Sequence, residues 1–257
     1  MKVRLHVRSG RPEIANFADR LVAEFADRGV AVSDDDSAAD LVVAVGGDGT
    51  MLSAVATAVD LDVPVIGFNM GTIGFLTAAD PEDMAGVVTR LSGGDYEIDN
   101  RMTVAATVGD RTVVGVNDVV IEKVDSQRLI ELNVKIGSVD FVNYRADGLI
   151  VATPTGSTAY SFSAGGPLVS PALQAFVLTP VAAHSLFSRS IVIEPDQEVL
   201  VEVTRDRAVK VSVDKTALGQ IGPGDTVAIR RGSRPAQFVT LDPPSFASQV
   251  KSKFDLP

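Results

Sequence analysis

Leu41-Val42-Val43-Ala44-Val45-Gly46-Gly47-Asp48-Gly49-Thr50 is the stretch from which the rest of the chain is read. The unbroken apolar run from Leu41 to Val45 has the pattern of a short strand buried on both faces, and it stops at three glycines around one carboxylate. Ligands of open parallel sheets sit outside the carboxyl ends of the strands, where glycines let the backbone approach a phosphate. Thr50 is placed to cap a helix over Met51 to Val59, whose free N–H groups would point to the same spot. The stretch therefore offers anion-binding amides and one acid, Asp48; the plainer alternative is a tight turn with an exposed aspartate. It is not a P-loop, because no Lys-Ser/Thr pair follows, and it is not Gly-x-Gly-x-x-Gly. An aspartate among phosphate-binding glycines points to phosphoryl transfer, in which a carboxylate takes a hydroxyl proton or holds magnesium.

Working outward, Val3 to Val7 reads as a first strand. After Pro12, the positions Ile14, Phe17, Ala18, Leu21, Val22 and Phe25 keep helical spacing up to Gly29. Val30 to Val32 suggests a short strand. Asp34-Asp35-Asp36 suggests a solvated loop, since consecutive carboxylates point apart rather than converge on a metal. Val63 to Phe68 is another buried strand, and Asn69-Met70-Gly71-Thr72-Ile73-Gly74-Phe75-Leu76 makes a second wall of the same crevice. Phe75 is either a ring that closes over a ligand or a core aromatic under the loop. Pro81 opens a helix through Leu91, ended by Ser92-Gly93-Gly94-Asp95. Residues 1–95 are expected to form an α/β domain with a parallel, Rossmann-like sheet.

From residue 96 to 232 the texture becomes short alternating strands with turn signals, and a β-rich, sandwich-like domain is expected. Its strands are placed at Thr103 to Val108, Thr112 to Val116, Leu129 to Ile136, Leu149 to Ala152, Ile191 to Ile193, Val199 to Val203, Val209 to Val213 and Thr226 to Arg230. The tail, 233–257, offers a strand at Gln237 to Leu241 and a short helix that packs back on the first domain.

The composition bounds the chemistry. With 257 residues, 46% of them hydrophobic, the chain can bury two modest cores. No apolar run approaches the roughly 18 residues that span a bilayer, and Met1-Lys2-Val3-Arg4 lacks a signal-peptide core, so a cytoplasmic protein without a membrane partner is expected. The absence of cysteine excludes disulfides, thiolate catalysis and zinc-thiolate sites. Two histidines, His6 and His184, are too few and too distant in sequence for a histidine metal site. The excess of 33 acidic over 23 basic residues, net −10, argues against nucleic acid. The preference for Asp among the acids and Arg among the bases suits a high-salt cytoplasm, hence an archaeal, even haloarchaeal, source.

Two stretches of the β-rich half are too polar for plain strands. In Asn117-Asp118-Val119-Val120-Ile121 an amide and a carboxylate stand side by side, able to accept from and donate to vicinal ribose hydroxyls, although Asn-Asp is also a common turn. In the second, Arg145-Ala146-Asp147-Gly148-Leu149-Ile150-Val151-Ala152 feeds Thr153-Pro154-Thr155-Gly156-Ser157-Thr158-Ala159-Tyr160-Ser161-Phe162-Ser163-Ala164-Gly165-Gly166-Pro167. That loop is crowded with hydroxyls and carries one tyrosine, whose ring is able to stack on a base. A serine hydrolase is a poor reading, because Ser157 lacks the Gly-x-Ser-x-Gly elbow and His184 is an isolated base.

Gly46-Gly47-Asp48-Gly49-Thr50 resembles the signature shared by NAD kinases, diacylglycerol and sphingosine kinases and, more loosely, phosphofructokinases. Asn117-Asp118, Asp147-Gly148 and Thr153 to Tyr160 narrow the resemblance to NAD kinases, over most of the chain from Leu41 to Lys253-Phe254. The resemblance implies transfer of a phosphoryl group from ATP or polyphosphate to the 2′-hydroxyl of the adenosine ribose of NAD, with magnesium or another divalent cation, in a homodimer or homotetramer. It implies that Asp48 is the general base and that Gly49 lies against the dinucleotide. It places Asn117 and Asp118 on NAD hydroxyls, and Arg128, Arg145 and Asp147 along the NAD site. Thr155 and the run Thr158, Ala159, Tyr160, Ser161, Phe162 and Ser163 would hold the adenine and nicotinamide ends. No protein metal ligands are assigned. The chain departs from the family at Asp118, where many members have Glu, and at Ser53, where a basic residue is frequent. It departs again at Asp214-Lys215-Thr216, where Asp-Gly-Gln is common. Two rival readings remain: a lipid or sugar-phosphate kinase of the same superfamily, and a sensor that binds NAD(P) without turnover.

Overall fold

The computed structural model describes residues 1–33, 38–71, 74–76, 79–205, 207–242 and 245–256. The triple aspartate 34–36 and Thr72-Ile73 lie outside them. The chain divides into two units, residues 1–101 with 235–257, and residues 102–234.

The first unit is built on a six-stranded sheet. Its strands are β1 (Lys2–Val7), β2 (Ala31–Ser33), β3 (Leu41–Gly46), β4 (Val65–Asn69), β5 (Glu97–Arg101) and the returning β18 (Ala236–Thr240), in the order β2-β1-β3-β4-β18-β5. All neighbours are parallel except β18 and β5, which run antiparallel. Every residue of β3 is buried, as its apolar run requires. Leu41, Val43 and Val45 join a core with α1 (Pro12–Ala26) and α3 (Met84–Gly93). Val42 and Ala44, on the alternate face, meet α2 (Asp48–Leu61). On α1 the buried stripe is Ile14, Phe17, Ala18, Leu21 and Phe25; Val22, expected on it, is exposed. Phe25 is fully buried, so truncation to Ala would cost about 3–5 kcal/mol.

Two expectations are corrected here. The helix of the glycine motif begins at Asp48 with Gly47 as its N-cap, three residues before the expected Thr50 cap, and Thr50 instead packs its hydroxyl under Gly46. The unit boundary falls after Arg101 rather than at 95, because β5 pairs along its length with β18. The tail thus contributes a strand and a helix, α5 (Phe246–Lys253), to this unit. No helix among the described residues is long and apolar enough to cross a membrane.

The second unit is a sandwich of two antiparallel six-stranded sheets. One is β10-β9-β14-β17-β6-β7, from β6 (Val104–Val108), β7 (Arg111–Gly115), β9 (Ile130–Ile136), β10 (Val139–Ala146), β14 (Val199–Val203) and β17 (Thr226–Arg231). The other is β13-β12-β11-β8-β15-β16, from β8 (Asp118–Lys123), β11 (Gly148–Ala152), β12 (Phe176–Val181), β13 (Ile191–Ile193), β15 (Val209–Val213) and β16 (Thr216–Ile221). Their inward residues form one core that includes Val119, Leu132, Tyr144, Leu149, Val201 and Val211. Strand β11 is buried on both faces: Leu149 and Val151 face the sandwich, while Ile150 and Ala152 pack with Val169 and Val177 outside it. The hydroxyl-rich segment after β11, with the single turn α4 (Tyr160–Ser163), supplies part of that outer cover through Ala164 and Val169.

Candidate active site

Strands β1 and β3 run parallel with Val7 beside Val45, so Arg8-Ser9 and Gly46-Gly47 leave the sheet at the same carboxyl edge. Gly47 accepts the amides of Thr50 and Met51, which leaves the first N–H groups of α2 pointing outward with the positive end of the helix dipole. Asp48 opens that helix, and its carboxylate accepts from the amides of Phe75 at 3.3 Å and Leu76 at 3.4 Å. Gly74 passes so close to this carboxylate that a Cβ there would overlap it, so only glycine lets the loop clamp Asp48 from the side.

Two cavities flank the turn. The first, about 480 Å³, is lined by His6, Arg8, Ser9, Gly49, Thr50 and Ser53, among others. The second, about 420 Å³, is lined by Arg8, Arg11, Asp48, Met70, Gly74 and Lys253, among others. Arg8 borders both. The half-buried Phe75 ring lies 6.3 Å from that of Phe254, with the Lys253 ammonium 5.4 Å from its centre. Phe75 thus packs against the end of α5. The Arg8 and Arg11 side chains and the helix N–H groups can hold a polyanion, although Arg11 also pairs with Glu13 at 3.7 Å, and an aspartate fixed by amides can deprotonate a hydroxyl beside it.

In the second unit, β8 and β11 bring the two polar stretches together. Ala152 stands opposite Asp118, Thr153 donates its amide to the Asn117 carbonyl at 2.8 Å, and its hydroxyl binds the Val116 carbonyl at 2.5 Å. Gly156 lies directly on Asn117, where any Cβ would collide with the Asn117 backbone. Thr155 is buried beside them, and Asp118 is only 6% exposed. Burial, reinforced by the charge of Asp214, pushes the Asp118 carboxyl up to about 7, with Lys215 pulling the other way.

The rest of the run divides by accessibility. Tyr160, Phe162 and Ser163 are exposed, and Thr158 and Ala159 are half-exposed. Ser161 is fully buried and shares a hydrogen bond of 2.9 Å with Thr179, so its hydroxyl serves the scaffold. Ser157 is equally buried and binds Pro154 and Val169 backbone groups, which removes it as a nucleophile.

Arg128, Arg145 and Asp147 are not brought to this cluster. Gly148 pairs with Glu122 and Asp147 accepts the Lys123 amide, so Asp147 lies at the Lys123 end of β8, five residue steps or about 17 Å from Asp118. There Asp147 binds Lys123 at 2.5 Å and Arg145 binds Glu131 at 3.2 Å, while Arg128 is exposed in the turn before β9. Sequence reasoning missed Arg8 and Arg11, whose signal was their place just after a strand parallel to β3. It also passed over Asp214 as a contact: its carboxylate accepts the amides of Val116, Asn117 and Asp118.

The sequence model described as the ATP-NAD kinase N-terminal domain matches residues 7–96, and that of the ATP-NAD kinase C-terminal domain matches residues 116–241. The chain belongs to the NAD kinase family. An NAD kinase of Ralstonia nicotianae is 41% identical over 206 residues, 78% of this chain and 68% of that protein. An NAD kinase of Heliobacterium modesticaldum is 39% identical over 220 residues, 83% and 78% of the two chains. Both organisms are bacteria, and these family members lend no support to an archaeal source. Among solved structures, an NAD kinase from Archaeoglobus fulgidus in complex with ATP is similar at a TM-score of 0.77 and 26% identity, over 93% of each chain. Yeast NADH kinase complexed with NADH shares the fold at a TM-score of 0.87 and 23% identity, over 99% of this chain and 87% of that one.

Proposed function

We infer that the chain phosphorylates NAD: a phosphoryl group passes from ATP or inorganic polyphosphate to the 2′-hydroxyl of the adenosine ribose, giving NADP. The observation that carries the reading is Asp48, clamped by two amides and Gly74 at the start of α2, between two cavities that Arg8 borders. A ribose hydroxyl is a weak nucleophile, so a positioned carboxylate matters. Asp48 takes the hydroxyl proton, the new O–P bond forms, and the bond from the transferred phosphorus to its bridging oxygen breaks to release ADP from ATP, or a polyphosphate one unit shorter. Arg8, Arg11 and the amides of α2 stabilise the donor phosphates, a task a chain of net charge −10 must perform locally. Arg8 stands in for the basic residue that many family members carry where this chain has Ser53. Asn117 and Asp118 hold ribose hydroxyls, and the exposed ring of Tyr160 offers a stacking face.

Magnesium fits as an ion held largely by the donor's phosphates. Among the described residues no three His, Cys, Asp or Glu side chains gather into a cage, and Mg²⁺ commonly uses one or two carboxylates with substrate phosphates and water. Asp48, which lines the second cavity, is the carboxylate placed to share it. When bound, the ion offsets phosphate charge.

The separation of Asp147 and Arg145 from Asp118 along β8 and β11 supports a homo-oligomer in which these two residues serve a dinucleotide held by a second copy. The acidic composition supports a protein adapted to high salt, in a cytoplasm.

The test is NADP formation in a coupled dehydrogenase assay in high potassium chloride, with NAD, magnesium and either ATP or polyphosphate. NADP with either donor supports the reading. Folded protein that binds NAD but forms no NADP with either donor favours the sensor. Phosphorylation of a lipid or sugar phosphate without NADP favours the other kinases.

A further inference from the structure

We propose that Asp214 is a positioning residue of the dinucleotide site: from the β15–β16 turn its carboxylate holds three consecutive amides and so fixes the direction of Asn117 and Asp118. The inference rests on the reading that Asn117 and Asp118 contact dinucleotide hydroxyls.

The geometry is specific. Asp214 Oδ2 accepts the Val116 amide at 2.5 Å, and Oδ1 accepts those of Asn117 at 2.8 Å and Asp118 at 3.1 Å. The Asp214 amide returns a bond to the Asp118 carbonyl at 3.1 Å. Three donors on two oxygens favour an ionised carboxylate; an amide side chain has one acceptor oxygen and would set its own N–H groups against the backbone. Both Asp214 and Lys215 adopt left-handed backbone conformations, with φ of 47° and 72°. Ordinary side chains hold this region only where the surroundings impose it. The tight two-residue turn thus aims one acid at the Val116–Asp118 amides and leaves Lys215 exposed beside them.

The same arrangement sets the protonation of Asp118. The charges that bear on it are Asp214 and Lys215, both from this turn, while β11 brings the uncharged Ala152 and Thr153 to its other side. Burial pushes the Asp214 carboxyl up, opposed by the three amides and Lys215, and the charge of Asp214 raises Asp118 while Lys215 lowers it.

The experiment compares Asp214→Asn, Asp214→Glu and Lys215→Gln with wild type in melting temperature, KM for NAD, KM for ATP and kcat across pH 5.5–9. NAD affinity is measured by calorimetry as well. Asn removes the charge; Glu keeps it and moves it by one methylene. Both substitutions are expected to raise KM for NAD at least tenfold, with KM for ATP and kcat at saturating NAD within threefold. The inflection of KM for NAD moves to lower pH in Asp214→Asn, stays in Asp214→Glu, and moves to higher pH in Lys215→Gln. Unchanged KM for NAD in both Asp214 variants overturns the proposal, as does equal loss for NAD and ATP or failure of both variants to fold. If wild type makes no NADP yet binds NAD, the kinase reading falls, and a tenfold weaker calorimetric affinity in Asp214→Asn still decides this one. If wild type does not bind NAD, both fall.

Discussion

At Asp118 a carboxyl group is asked to sit dry beside another acid, and its chemistry follows. Burial and the Asp214 charge hold it at about 7 against an ordinary 3.8. Between these values the folded protein binds a proton that the unfolded chain has lost. The contribution of Asp118 to stability therefore declines as pH rises from about 4 to 7 and is level above that. For NAD the sign is opposite: only the ionised group accepts two ribose hydroxyls, so KM for NAD is expected to fall as pH rises through 7. Asp118→Asn should flatten that profile; an unchanged inflection in the variant would assign it to another group. The sequence shows an amide and a carboxylate side by side at Asn117-Asp118, but not that the carboxylate is buried. Its burial comes from β11 and the β15–β16 turn, which are 30 or more residues away in sequence.

At the scale of elements, the proposed phosphate-binding edge depends on β1 and β3 lying side by side, which brings Arg8 to both cavities. Arg8→Ala removes charge-assisted hydrogen bonds worth roughly 1.5–3 kcal/mol, or about ten- to a hundredfold in KM for the phosphoryl donor. KM for NAD should stay within threefold; a donor KM equal to wild type would place the phosphates elsewhere. The apolar runs of β3, β4 and β11 declared themselves because both of their faces are covered. Five other strands, β5, β8, β10, β12 and β16, did not: β8 reads as too polar for a plain strand, and three of the rest show their reasons. Glu97–Arg101 is a polar edge strand whose only partner is β18, so it carries no hydrophobic period. Phe176–Val181 contains Pro180, which argues against a central strand, yet β13 pairs only with Phe176 to Leu178, and beyond them β12 is an edge that needs no N–H there. Val139–Ala146 has a largely exposed outer half, so its alternation is faint. Thr50 misled because a good capping residue sat where the helix had already begun.

For the whole molecule, the proposed homo-oligomer has the Asp118 and Asp147 ends of β8 and β11 serve dinucleotides held by different copies. Mixing Asp48→Asn with Asp147→Asn after mild dissociation should therefore restore activity well above the sum of the two alone, through oligomers in which some sites retain both aspartates. Activity no greater than that sum, or constant specific activity in a proven monomer, would contradict the shared site. The charge of −10 belongs to this scale too. Salt screens self-repulsion, so the melting temperature is expected to rise steeply with potassium chloride. Full retention of fold and activity on dialysis to low salt would sink the adaptation to brine. The division into an α/β unit and a β-sandwich was readable from periodicity, whereas the exchange of the tail into the first sheet was only partly so, since β18 announces a strand but not its neighbours.

The central claim is that Asp48 removes the proton from the ribose hydroxyl, and the most direct measurement is single-turnover NADP formation by Asp48→Asn with NAD affinity determined in parallel. The account predicts a fall of about 10²–10⁴-fold in the chemical step with NAD affinity within threefold of wild type. A variant that forms NADP at the wild-type rate would show that the hydroxyl loses its proton elsewhere.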